Sequence, residues 1–79
     1  FLAALLQREG RHKDAIEHYL VAVRKTPQSG LWWMGMGISM QADKRDAEAR
    51  EAFTRAGETQ TLSPELQAFV DQKLKQLPR

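Results

Sequence analysis

Sliding the sequence over itself by 34 residues brings Leu2 onto Met36, Ala3 onto Gly37, Leu6 onto Met40 and Gln7 onto Gln41. The match carries on without a gap, with Arg11 on Arg45, Asp14 on Glu48, Ala15 on Ala49, Tyr19 on Phe53 and Ala22 on Ala56. A fixed period of that size marks a stacked repeat, in which each unit buries its apolar side against the next, and it constrains the fold before any local propensity does. With 79 residues there is room for one small domain and one core. A core of that size is marginal without neighbours.

Each unit reads as two helices. Leu2, Leu5 and Leu6 end a first helix that Gly10 can stop, because glycine tolerates the left-handed backbone a helix end needs. Ala15, Ile16, Tyr19, Leu20, Ala22 and Val23 recur at helical spacing in a second helix over 13–25, which Pro27 closes. A third helix is predicted over 31–42. A fourth over 47–57 carries Ala49, Ala52, Phe53 and Ala56 on one side, with Asp46 as its N-cap. Ser63-Pro64 starts a fifth over 64–77, since proline at the first helical position loses no needed donor. Its stripe of Leu66, Phe69, Val70, Leu74 and Leu77 opposes Glu65, Asp71, Gln72, Lys73 and Lys75, as a terminal cap requires. The expected architecture is all-α, about five antiparallel helices: a partial first repeat over 1–29, a second over 30–63 and a capping helix over 64–79.

Trp33-x-x-Met36-Gly37-x-x-Met40 followed by Ala49-x-x-x-Phe53-x-x-Ala56 resembles the tetratricopeptide pattern of small and aromatic residues. The first copy supplies Leu2-Ala3-x-x-Leu6, Gly10, Ala15-x-x-x-Tyr19-x-x-Ala22 and Pro27, so the resemblance covers nearly the whole chain. It implies a helical-hairpin solenoid that binds protein. Ala3 stands where the family has glycine, Met40 where it has tyrosine, and Thr61 where the first copy has Pro27. Lys44 occupies the place of Gly10 and would lose about 1 kcal/mol in a left-handed turn. The stretches Gly30-Leu31-Trp32-Trp33-Met34-Gly35-Met36-Gly37-Ile38-Ser39 and Thr61-Leu62-Ser63-Pro64-Glu65-Leu66-Gln67 are similar to the C-terminal tetratricopeptide region of bacterial mannose-sensitive haemagglutinin pilus biogenesis proteins. That resemblance implies a component of pilus or secretion-system assembly, anchored in a membrane with this part on the periplasmic side; without it the expectation is cytoplasmic. The start at Phe1 within an apolar segment suggests a piece of a longer protein.

On a helical wheel of residues 31–42, Trp33, Met36, Gly37 and Met40 share the face that the repeat assigns to the hairpin core. The other face holds Leu31, Met34, Gly35, Ile38, Gln41 and Ala42. In the family's geometry it lines a concave groove beside Ala4, Gln7 and Arg8, and a helix apolar on all sides needs cover on all sides. These nine residues are the candidate partner groove, fitted to an amphipathic helix or an extended apolar peptide. The bland alternative is that Leu31, Met34 and Ile38 pack against further repeats or the last helix. The family's carboxylate clamp needs Lys, Arg and Asn, whereas Ala4, Leu31, Met34 and Ile38 stand there, which argues against a receptor for peptide termini. Trp32 either anchors a partner or seals the seam between repeats, while Met36 and Met40 fill the core.

Little points to chemistry. His12 and His18 are six apart with no third ligand in register, and there is no cysteine, so no metal site or thiolate nucleophile is expected. Ser29, Ser39 and Ser63 have no base and acid in evident reach. Glu48, Glu51 and Glu58 alternate with Arg50 and Arg55 in the manner of a solvated face. A formal charge of +2 without a basic run is too weak for nucleic acid, and no apolar stretch is long enough to enter a membrane as a helix. No catalysis and no cofactor are expected. Self-association through the same apolar face, or service as an accessory domain of a larger enzyme, remain as alternatives to partner binding.

Overall fold

The computed structural model describes residues 1–77, which are helical without a strand. Five helices follow one another: α1 (Leu2–Arg8), α2 (His12–Lys25), α3 (Gly30–Ala42), α4 (Asp46–Glu58) and α5 (Pro64–Gln76). They stand within about a residue of the boundaries the sequence predicts. Residues 78 and 79, at the end of the expected 64–79 cap, lie outside the described residues.

The two turns that close α1 and α3 are copies of one another. Gly10 has φ of +80° and Lys44 has φ of +62°. At the first, the Gly10 amide donates to the Gln7 carbonyl and the Arg11 amide to that of Leu6; at the second, Lys44 donates to Gln41 and Arg45 to Met40. This paired pattern satisfies the carbonyls that a helix end leaves over, and its left-handed residue is cheapest as glycine. The arginine after each turn then grips the next helix, Arg11 on Asp14 at 2.7 Å and Arg45 on Glu48 at 3.1 Å. The Glu48 hydrogen bond raises the Arg45 pKa. Asp46 is not the N-cap of α4 as expected: Arg45 occupies that position and Asp46 is the first helical residue. Its carboxylate still favours the positive end of the helix dipole. Ser63 does cap α5, its Oγ accepting from the Leu66 amide at 3.3 Å.

Contacts fix how the helices run. Tyr19 meets Gly35 and His12 meets Ser39, so α2 and α3 are antiparallel. Gly30 lies against Thr59 and Thr61 while Gly37 lies against the Phe53 ring, which makes α3 and α4 antiparallel. In α4 and α5, Gly57 faces Gln67, Phe53 faces Phe69 and the Arg50 guanidinium donates to the Leu74 carbonyl, again antiparallel. Phe1 against Trp32 and Gln7 against Gly35 and Ser39 show α1 and α3 side by side in the same direction. Between them α3 is covered on three sides, and six residues from Met34 to Met40, excepting Ile38, are buried on it.

Small residues allow this approach. Ala3, Ala15, Ala49 and Ala56 have no exposed surface, and a methyl added at Gly37 would lie 3.1 Å from the Phe53 ring. Phe53, Ile16 and Val70 fill the spaces left, at about 1.5–3 kcal/mol of burial each. Trp33 departs from its expected core position. It is half-buried at the first turn of α3, with Nε1 donating to the Pro27 carbonyl at 2.7 Å and the Arg55 guanidinium 5.7 Å from its ring. A helix terminus leaves one flank of so large a ring in solvent.

Candidate interaction surface

The nine groove candidates divide by depth. From α1, Ala4 and Gln7 are half-buried and Arg8 is exposed; from α3, Leu31 and Ala42 are exposed, Ile38 and Gln41 half-buried. Met34 and Gly35 are buried, so neither presents a side chain to an incoming segment. Gly35 turns to α2, where a Cβ would meet the Tyr19 ring at 2.6 Å. The accessible strip is therefore Ala4, Leu31, Ile38 and Ala42, edged by Arg8 and Gln41. Leu31 is its most exposed large apolar residue, at 48%.

Beneath the strip runs a polar bolt. Gln7 Nε2 donates to the Gly35 carbonyl and to Ser39 Oγ, both at 2.8 Å, and His12 Nδ1 lies 3.5 Å from the same hydroxyl. One residue from each of α1, α2 and α3 thus meets at a serine with no exposed surface. Burying a hydroxyl without a partner is costly, and here it has two. From the sequence no base stood in evident reach of Ser39. His18 is exposed, but His12 is half-buried against Ser39. The pair does not amount to a nucleophile and its base, because Ser39 Oγ has no access for a substrate atom.

Among the described residues three shallow cavities flank the helices, and none of these three is lined by the strip residues. The first, about 310 Å³, lies among Phe1, Val21, Ala22 and Trp32, with His18 and Lys25 on its rim. A second, about 370 Å³, lies by Trp33, Arg55 and Glu58, and a third, about 190 Å³, by Met36 and Met40 under Glu48 and Glu51. Trp32 stacks on Phe1 with ring centroids 4.6 Å apart, and Phe1 sets its edge to Tyr19 at 5.8 Å, so Trp32 seals the α1–α3 seam while keeping one flank on the first cavity.

Among the described residues no three His, Cys, Asp or Glu side chains converge as metal ligands, and no helix is long and apolar enough to cross a membrane. No family model, curated protein or solved structure matches the chain.

Proposed function

We propose that the chain is a tetratricopeptide-type scaffold that holds a segment of another protein along the α1–α3 strip. The observation that carries the reading is the side-by-side, parallel placement of α1 and α3, which sets Ala4, Leu31, Ile38 and Ala42 on two adjoining helices. The 34-residue copy of the turn geometry supports the repeat assignment. Such a strip offers apolar contact at helical spacing to an amphipathic helix or an extended apolar peptide, with Arg8 as the charged residue at its edge. A partner in pilus or secretion-system assembly rests on the sequence resemblance alone.

The test is capture of partner by the immobilised chain against its Leu31→Glu and Ile38→Glu variants, with helicity followed by circular dichroism. Leu31 is exposed, so its variant should stay folded and lose the partner. A partner retained by both variants would remove the strip from consideration.

Self-association is the second reading, favoured by the crowding of exposed large apolar side chains, Phe1, Leu2, Leu5, Val21 and Leu31, into the first 31 residues. Sedimentation across a concentration series separates the two. A chain that stays monomeric until a partner is added supports the scaffold.

A further inference from the structure

The first cavity is a site of another kind. Phe1, Val21, Ala22, Thr26 and Trp32 line it, and among the described residues the titratable side chains that line it are those of His18 and Lys25, both basic residue types. Among the described residues no carboxylate lines it. The third cavity has the opposite rim, Glu48 and Glu51 over Met36 and Met40, and the second mixes Arg55 with Glu58. Charge therefore sorts the three. At about 310 Å³ and open to solvent, the first is at the small end of ligand pockets and suits one large side chain of a bound segment. Apolar contact would supply the hold, and rim charge the choice of partner.

We infer that the cavity between Phe1, Val21 and Trp32 receives a single aromatic or branched apolar side chain of an acidic amphipathic segment, whose flanking carboxylates face Lys25 and His18. Lys25 stands in the last turn of α2 and carries the formal positive charge at the cavity. Leu5, one turn along α1 from Phe1, is exposed and extends the apolar ground for the segment. None of the lining residues belongs to the α1–α3 strip, so this site goes beyond the scaffold reading, and the two stand or fall separately.

The two tryptophans supply the assay. Trp32 lines only this cavity, whereas Trp33 lines both of the others. Two short synthetic amphipathic peptides with the same leucine and phenylalanine anchors, one with glutamates and one with lysines on the polar face, are titrated into the 79-residue chain. Emission is read in a Trp33→Phe variant, which reports Trp32, and in a Trp32→Phe variant, which reports Trp33. The expected result is a saturable shift at Trp32 with the glutamate peptide, about fivefold tighter than with the lysine peptide, from the reversed sign opposite Lys25. Val21→Asp should abolish that shift with circular dichroism unchanged, since Val21 is exposed, and Lys25→Glu should reverse the preference between peptides. Equal binding of both peptides, a shift that survives Val21→Asp, a response at Trp33 alone or no saturable response would each overturn the inference. An Ile38→Glu variant that still binds the glutamate peptide shows the cavity acting apart from the strip; one that is folded but no longer binds it would overturn that separation.

Discussion

Helices α1 and α3 occupy the same place in the 34-residue repeat, yet their equivalent residues meet different surroundings. Leu2 is 50% exposed and its counterpart Met36 is 3% exposed; Leu5 is 49% exposed and its counterpart Ser39 is fully buried. Leu6 and Met40, turned to the hairpin interior, are equally buried. One repeat position therefore has an inner part, covered in both copies, and an outer part that is covered only where another helix adjoins. The inversion at the Leu5 and Ser39 pair is instructive. A hydroxyl is buried where Gln7 and His12 can reach it, and a leucine is left in solvent where none of the described helices lies over it. Burial follows neighbours at these positions, and hydropathy follows only in part.

The widest test of the contrast removes the same bulk from both helices. Met36→Ala should destabilise the chain by about 2–5 kcal/mol, and Leu2→Ala should stay within about 0.5 kcal/mol. Urea denaturation of both variants measures the gap. Equal losses would mean that the outer face of α1 is covered in solution, and the comparison would break.

A smaller effect comes from the position where the first copy has Phe1, just before α1, and α3 has Gly35. The Tyr19 ring passes 2.6 Å from where a Gly35 Cβ would stand, so Gly35→Ala overpacks the α2–α3 contact. Overpacking of about 1–3 kcal/mol outweighs the roughly 1 kcal/mol alanine gains over glycine in a helix. The expected outcome is a lower urea midpoint with unchanged helicity. A rise would show that Tyr19 yields freely.

Smaller again is the effect at the turns. Lys44 takes a left-handed backbone at φ +62°, where its counterpart Gly10 takes +80° with nothing within 4 Å of an added Cβ. Lys44→Gly should raise stability by about 1 kcal/mol by relieving that strain, while Gly10→Lys should lower it by about as much. The double exchange should come close to neutral. Thermal unfolding of the three variants checks the set, and a destabilised Lys44→Gly would show that the lysine chain contributes more than its backbone costs.

Those turns were also the most legible part of the molecule. The register that lays Arg11 on Arg45 and Asp14 on Glu48 is matched in the structure by copied turn hydrogen bonds and copied ion pairs. Five helices and the Ser63-Pro64 start were readable for the same reason, since local periodicity and capping chemistry decide them. Position within the assembly was less so. A helical wheel places Met34 and Gly35 opposite the hairpin core, but it cannot say that Tyr19 of the preceding helix closes over Gly35. The Gln7, His12 and Ser39 cluster joins residues 27 to 32 apart through polar side chains that periodicity ignores. Its one available signal was a serine in the middle of an otherwise apolar helix, which demands a partner. Trp33 was read as core because the repeat pattern puts it there, and its place in the first turn of α3 left a flank exposed.

The smallest expected effect separates the aromatic pair at equivalent positions of the two hairpins. Phe53 cannot titrate, but Tyr19 can, and burial raises the Tyr19 pKa above its ordinary 10.0. A phenol whose folded pKa is raised holds its proton more tightly when folded than when unfolded. Its contribution to stability is complete below about pH 10 and is lost as pH climbs through the folded pKa, because the unfolded chain then releases a proton that the folded chain retains. Alkaline weakening should therefore begin in the first hairpin, where ionising Tyr19 would place a charge beside Gly35 and the Phe1 ring. The urea midpoint of the native chain should fall above about pH 10 together with the appearance of tyrosinate absorbance, and the part of that slope due to the phenol should vanish in Tyr19→Phe. Every other ionisable group is common to both proteins, so the difference between the two profiles isolates Tyr19. Superimposable profiles would mean that the hydroxyl is as well hydrated in the folded chain as in the unfolded one, and the two hairpins would then be alike in this respect.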